Sequence, residues 1–184
     1  MGTTYKKQGA AEAKSEAAYE LKDLFEVGLN DIYSAEKALI ETLPHMVKNA
    51  SSPQLANTLQ NHLAETKEHV SRLEEIFESK GIKAVAKKSE AIEGLIEESK
   101  GIIAKTEIGA MRDAGIIAAG QKLKKYEIAT YDALCSFAEN LGENKAANLL
   151  TMTLNEQRKT DAALNEIAQS NINFNASEQI NGKY

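Results

Sequence analysis

Four glutamates are the residues of this chain that could together carry out chemistry, because each lies on or beside the apolar stripe of a different helical segment. They are Glu36, Glu65, Glu127 and Glu156. A carboxylate in the core of a helix bundle costs several kcal/mol unless it is paired, protonated or bound to a cation. Four carboxylates near the middle of four helices therefore predict one shared site that binds cations.

The expected cations are two divalent metal ions, either iron or manganese. Two such ions about 3.5–4 Å apart need anionic oxygens that bridge them and balance their charge. Iron and manganese suit carboxylate ligands combined with imidazole. In four-helix bundles that hold such a pair, each helix contributes an inward glutamate and two helices add a second ligand.

Histidine is the residue type expected to supply the additional ligands. His62 and His69 lie three and four residues from Glu65, on one face of the second long helix. On the fourth long helix the position equivalent to His69 is Thr160, a poor ligand, and the neighbouring Asp161 could bind instead. The spacing leaves open which of His62, His69 and Asp161 completes the site. For any single glutamate, a carboxylate that reaches water from the edge of the core is an equally good interpretation.

The apolar periodicity predicts an all-α fold of four long helices that position these side chains. Some 25 residues after Gly81 contain a shorter helical segment, enough chain to return along the bundle. The second and third long helices can therefore be parallel neighbours, joined by the long crossover of a ferritin-like four-helix bundle. Residues 1–18 are expected to be flexible, residues 19–170 to form the bundle, and residues 171–184 to be an irregular tail. The expected helices are 19–49, 53–80, 89–105, 108–140 and 144–170.

Composition narrows the class of protein. The 184 residues carry a formal net charge of −5, which argues against electrostatic binding of nucleic acid. The single cysteine, Cys135, cannot form an internal disulfide, and the first residues lack the apolar stretch of a secretion signal. No apolar run approaches the roughly 18 residues needed to cross a bilayer. A cytoplasmic protein that does not contact membranes is expected.

Several segments of the sequence, which include the predicted metal ligands, resemble the YciE/YciF group of ferritin-like bacterial stress proteins. The resemblance covers most of residues 20–170 in order. It implies a rubrerythrin-like bundle, a homodimer, a link with stress responses, and metal binding by the four glutamates and His62. The matching segments are Asp31-Ile-Tyr-Ser-Ala-Glu36, His62-Leu-Ala-Glu65-Thr, Ala91-Ile-Glu-Gly-Leu-Ile-Glu-Glu98, Arg112-Asp-Ala-Gly-Ile-Ile-Ala-Ala119, Lys125-Tyr-Glu127-Ile-Ala-Thr-Tyr131, Thr153-Leu-Asn-Glu156 and Thr160-Asp161.

Two functions from different classes fit these observations. The first is a di-metal oxidoreductase, catalase-like, peroxidase-like or ferroxidase-like, whose small-molecule substrate is oxygen or peroxide. The second is a non-catalytic helical stress protein with a vestigial metal site, favoured by the missing second histidine on the fourth helix. In either case Ile102 and Ile103 of the crossover segment are expected to be exposed and to support homodimer packing.

Overall fold

Long helices dominate the computed structural model, which describes residues 20–87 and 89–178. The predicted lead-in at residues 1–18 lies outside these described residues. Four helices of 24 to 31 residues form the bundle, with a shorter one between the second and third. The prediction of an all-α ferritin-like bundle is confirmed. The helices are α1 (Leu21–Asn49), α2 (Pro53–Lys80), α3 (Glu90–Lys105), α4 (Ala110–Asn140), α5 (Asn144–Ile167) and, after a π-helical turn at Ala168–Ile172, α6 (Asn173–Glu178).

The helix directions confirm the predicted crossover. Helix α1 packs against α2 and α4, and α5 packs against the same two helices. Each of these four pairs is antiparallel, so α2 and α4 run parallel to each other. They lie diagonally opposite each other across the bundle, whereas the sequence predicted that they would be neighbours. The diagonal arrangement lets side chains from α2 and α4 meet on the bundle axis, at the same depth.

The beginning of α2 is fixed by local chemistry and by one long-range contact. Ser52 caps the helix by accepting a hydrogen bond from the Leu55 amide, and Pro53 occupies the first turn. Asp113, which is buried near the start of α4, accepts hydrogen bonds from the amides of Ser51 and Ser52 at 2.7 and 2.8 Å. This carboxylate therefore ties the α1–α2 turn to α4 and sets both parallel helices at one level.

Helix α3 packs on the outside of the bundle, mainly against α4. Ile92, Ile96 and Ile103 are buried in this contact, and Ile102 is partly buried against the core. The prediction that these side chains are exposed is therefore wrong for Ile103 and only partly met by Ile102, and homodimer packing stays a prediction. The apolar residues of α3 are used to attach the crossover to its own bundle.

The chain after α5 is more regular than the sequence predicts. The tail expected to be irregular from residue 171 continues as helix to Glu178, and Ala176 is buried. Residues 179–184 lie outside the described part of the chain. Among the helices that the structure describes, none combines the length and apolar character that a membrane span requires.

A glycine on α4 allows α3 to approach closely. A Cβ added at Gly115 would collide with the Ile102 side chain, whereas one added at Gly101 of α3 meets nothing within 4 Å.

Replacing a helical glycine by alanine stabilises the fold by about 0.5–1 kcal/mol when there is room for the methyl group, and overpacking costs about 1–3 kcal/mol. We expect Gly101→Ala to raise the free energy of unfolding and Gly115→Ala to lower it, as measured by urea denaturation. Equal stabilisation by both changes would show that α3 does not pack against Gly115.

Candidate functional site

A lysine side chain lies at the centre of the bundle core. Lys124 of α4 is fully buried. Its Nζ donates hydrogen bonds to His62 Nε2 of α2 and to Gln157 Oε1 of α5. It also forms an ion pair with Glu127 Oε2, 2.8 Å away and one turn further along α4. An ammonium group has three hydrogens to donate, and here three acceptors surround it.

Two of the four predicted glutamates share this core. Glu36 of α1 and Glu127 of α4 are both fully buried. The Gln157 amide joins them, because its Nε2 donates to Glu127 Oε1 at 2.8 Å and to Glu36 Oε1 at 3.2 Å. Tyr131 also donates to Glu36 Oε1, at 2.7 Å, and burial beside this carboxylate raises the pKa of the Tyr131 hydroxyl well above its usual value. Glu36 Oε2 has no hydrogen-bond partner among the described residues.

The pKa values of the two core histidines are shifted in opposite directions. Burial, together with the nearby positive charges of Lys124 and His69, lowers the pKa of His62 well below its ordinary value of 6.5. His62 is therefore neutral and accepts from Lys124 through Nε2. Burial also opposes the charging of His69, but its contacts with Glu36 outweigh burial and raise the pKa of His69. Its Nδ1 lies 3.3 Å from Glu36 Oε1 and 3.4 Å from Gln157 Nε2, and its Nε2 lies 3.0 Å from Glu156 Oε2, so the ring has a carboxylate on each side.

This core places acidic and basic side chains against one another. Glu36 lies beside His69, and Glu127 lies beside Lys124. Burial raises the pKa of Glu127, while Lys124 acts in the opposite direction and favours the ionised form. We call this set of charged and neutral partners the core cluster; it consists of Glu36, His62, His69, Lys124, Glu127, Tyr131 and Gln157.

The other predicted ligands lie at the margin of the core cluster. Glu65 accepts a hydrogen bond from Thr160 at 2.9 Å, in a groove between α2 and α5. Asp161 forms an ion pair with the exposed Lys125 at 2.6 Å. Glu156 lies at the edge of the bundle, with 26% of its side chain exposed, and contacts the cluster through His69. The structure therefore brings Glu36 and Glu127 together and leaves Glu65 and Glu156 outside, and metal binding by the four glutamates stays a prediction.

Arg72 holds Glu156 at the edge of the bundle. It donates to both oxygens of that carboxylate, at 2.5 and 2.9 Å. Burial alone would raise the pKa of Glu156, but the hydrogen bonds and charge of Arg72, together with those of His69, outweigh burial and lower that pKa. His69 lies between Glu156 and Glu36, so it connects this edge pair to the core cluster.

The sequence contained a signal for the residues that were missed. On α5 the buried positions Leu150, Leu154, Gln157 and Leu164 follow helical spacing, and this register places Gln157 inward in place of Glu156. On α4 the buried Lys124 lies four residues after Gly120 and three before Glu127, on the same stripe. A lysine between apolar residues ordinarily extends into solvent, so the sequence pattern alone does not predict that Lys124 is buried.

These residues do not fit a centre for two metal ions. Lys124 Nζ lies among the donors that would have to bind a metal, and only two of the four glutamates are present. Among the described residues, no group of three or more histidine, cysteine, aspartate or glutamate side chains is arranged to hold a metal ion. The donors contact one another and Lys124.

The contribution of the Arg72–Glu156 ion pair to stability can be measured by removing its cation. The hydrogen bonds of Arg72 to a carboxylate are each worth about 1.5–3 kcal/mol when they are shielded from water. We expect Arg72→Met to lower the free energy of unfolding by about 2 kcal/mol at neutral pH. Arg158→Met is the control, because Arg158 and its partner Asp132 are about half exposed and such pairs contribute roughly 0–1 kcal/mol. Equal losses in urea denaturation would contradict the shielded geometry of the Arg72 pair.

Comparison with known proteins supports the fold and identifies the family. The family model described as "Domain of unknown function (DUF892)" matches residues 20–177. Protein YciF of Escherichia coli (strain K12) is 41% identical over 160 residues, which cover 86% of this chain and 96% of that protein.

Solved structures agree with this similarity. The crystal structure of the E. coli stress protein YciF superposes with a TM-score of 0.81 and 41% identity, covering 85% of this chain and 99% of that one. YcfI from Rhodopseudomonas palustris gives a TM-score of 0.79 with 34% identity, covering 84% and 98% of the two chains. A Xanthomonas campestris protein, 18% identical with a TM-score of 0.70 over 88% and 98% of the chains, shares the fold. The chain therefore belongs to the DUF892 family and is a homologue of E. coli YciF.

Proposed function

We propose that this chain is a non-catalytic stress protein that acts through contacts of its helical surface. The observation that supports this function is the position of Lys124, whose ammonium group takes the place of a metal ion among the core donors. A redox metal centre needs open coordination positions at which oxygen or peroxide can bind. In the core cluster the three acceptors closest to Lys124 are already engaged with it.

A structural role for the core cluster is consistent with its connections. It contains side chains from all four long helices, and each of them is hydrogen-bonded or ion-paired to a side chain from another helix. A buried ionic network adds little net stability compared with well-packed apolar residues, but it disfavours other helix registers. In this function the cluster specifies one bundle, and the outer faces make the contacts. The link with stress comes from the similarity to the E. coli stress protein YciF.

A di-metal oxidoreductase is the second candidate, and one specific feature favours it. The core contains two carboxylates and two imidazoles, and Glu36 Oε2 has no hydrogen-bond partner among the described residues. Iron or manganese would suit such donors and would supply redox chemistry with oxygen or peroxide. For this function Lys124 would have to leave the core, and Glu65 and Glu156 would have to exchange their present partners.

A homodimer and a cytoplasmic location remain predictions. Ile103 is buried against the bundle and Ile102 is partly buried, so any dimer contact on α3 would use its remaining exposed surface. Dimerisation through another face is compatible with a protein that acts by surface contacts.

Metal analysis separates the two functions. We expect protein purified without chelator to contain far less than one iron or manganese ion per chain by elemental analysis. After incubation with either ion and removal of the excess, it should consume hydrogen peroxide no faster than the same protein treated with EDTA. The reason is that the core cluster already contains its own cations.

The opposite outcome is equally well defined. Two iron or manganese ions per chain, together with peroxide consumption that EDTA abolishes, would contradict the non-catalytic function. A Glu36→Gln variant identifies the site in that case, because loss of both ions would assign them to the core cluster.

A further inference from the structure

Three acceptors from three different helices converge on Lys124 Nζ in this core. They are His62 Nε2 from α2, Glu127 Oε2 from α4 and Gln157 Oε1 from α5. All three side chains are buried, with at most 3% of the surface of each residue exposed. One imidazole nitrogen, one carboxylate oxygen and one amide oxygen also form a donor set that binds divalent cations.

We propose that Lys124 blocks a latent site for one divalent cation, and that removal of its side chain opens that site. The ligands would be His62, Glu127 and Gln157, whose acceptor atoms surround Lys124 Nζ. This inference rests on the proposed function, in which the natural protein keeps Lys124 in the core and binds no metal there.

The charge of the core supports this inference. Without Lys124, Glu127 loses the counter-ion that lies 2.8 Å from it, and Glu36 remains close by, joined through Gln157. Two buried carboxylates with only His69 as a cation would carry an uncompensated negative charge. Loss of one partner of a buried ion pair is strongly destabilising, because the other charge is left buried without a partner. A divalent cation in the vacated volume would restore the balance.

Glu36 adds a further acidic side chain next to this position. Glu36 Oε2 is buried and has no hydrogen-bond partner among the described residues, although the other oxygen of the carboxylate accepts from Tyr131 and Gln157. His62 already directs its Nε2 toward the position of Lys124 Nζ.

The site would hold one ion and not two. The further carboxylates that a second ion would need are Glu65 and Glu156, and they are occupied by Thr160 and Arg72 outside the cluster. The expected stoichiometry of one ion per chain therefore distinguishes this site from a two-metal centre.

The experiment uses the full chain with Lys124→Ala and with Zn²⁺ as the probe ion. In EDTA we expect this variant to melt well below the natural protein. Zinc at about 100 times its dissociation constant should raise the melting temperature of the variant by roughly 5–10 °C. Titration calorimetry should show one zinc ion per chain. The natural protein should show no comparable shift.

Two further variants control for other causes. Lys122→Ala removes an exposed lysine from the same helix, so any zinc effect shared with it arises from surface sites. Lys124→Ala combined with His62→Ala removes one proposed ligand together with the lysine. We expect the zinc-dependent shift to disappear or to fall by at least half in that double variant.

A variant that folds without zinc keeps the test decisive. Lys124→Ala combined with Glu127→Gln removes one cation and one anion, so it should melt above Lys124→Ala in EDTA and respond little to zinc. If Lys124→Ala shows no zinc shift beyond that of Lys122→Ala, or binds zinc without His62, the latent site is excluded. The proposed function fails separately, if the natural protein itself binds a metal in its core.

Discussion

Charge compensation between Lys124 and the buried carboxylates is the interaction on which the rest of the bundle core depends. Glu36 and Glu127 are fully buried, and an isolated ionised carboxylate is not stable in such a place. Lys124 supplies a cation from within the chain, and His69 supplies a second one. The Gln157 amide then joins the two carboxylates through its Nε2 and accepts from Lys124 through its Oε1. The chain thereby places basic side chains of its own beside both carboxylates, while Glu36 Oε2 is left without a hydrogen-bond partner among the described residues.

The topology follows from the same requirement. His62 and Lys124 meet across the bundle diagonal, and because α2 and α4 run parallel from the same end, the contact between their starts sets the depth of both side chains. Asp113 fixes that common level through the amides of Ser51 and Ser52. The α3 crossover returns the chain to this end, and Gly115 lets it pack closely on α4. Each of these features serves to bring Lys124 and its acceptors to the same depth.

The sequence was sufficient for the helices and only partly sufficient for the site. Apolar stripes, the Ser52-Pro53 start and the Gly81 stop located the long helices and the crossover to within a few residues. Predicting the site required knowing which side chains of each helix face inward. Side chains at neighbouring positions point about 100° apart around the helix axis. A register shifted by one residue therefore exchanged Gln157 for Glu156. Lys124 was missed for a different reason, since only the assembled core shows that the surrounding acceptors can hold a buried ammonium group.

The protonation of the two core histidines is the measurement that tests this self-compensated core most directly. Nitrogen-15 NMR of the imidazole rings at pH 6.5, with and without EDTA, distinguishes a neutral ring from a protonated one. The expected result is a neutral His62 with an unprotonated Nε2 and a mainly protonated His69, both unchanged by EDTA. A protonated His62, a neutral His69, or resonances of either ring that shift when EDTA is added would contradict it.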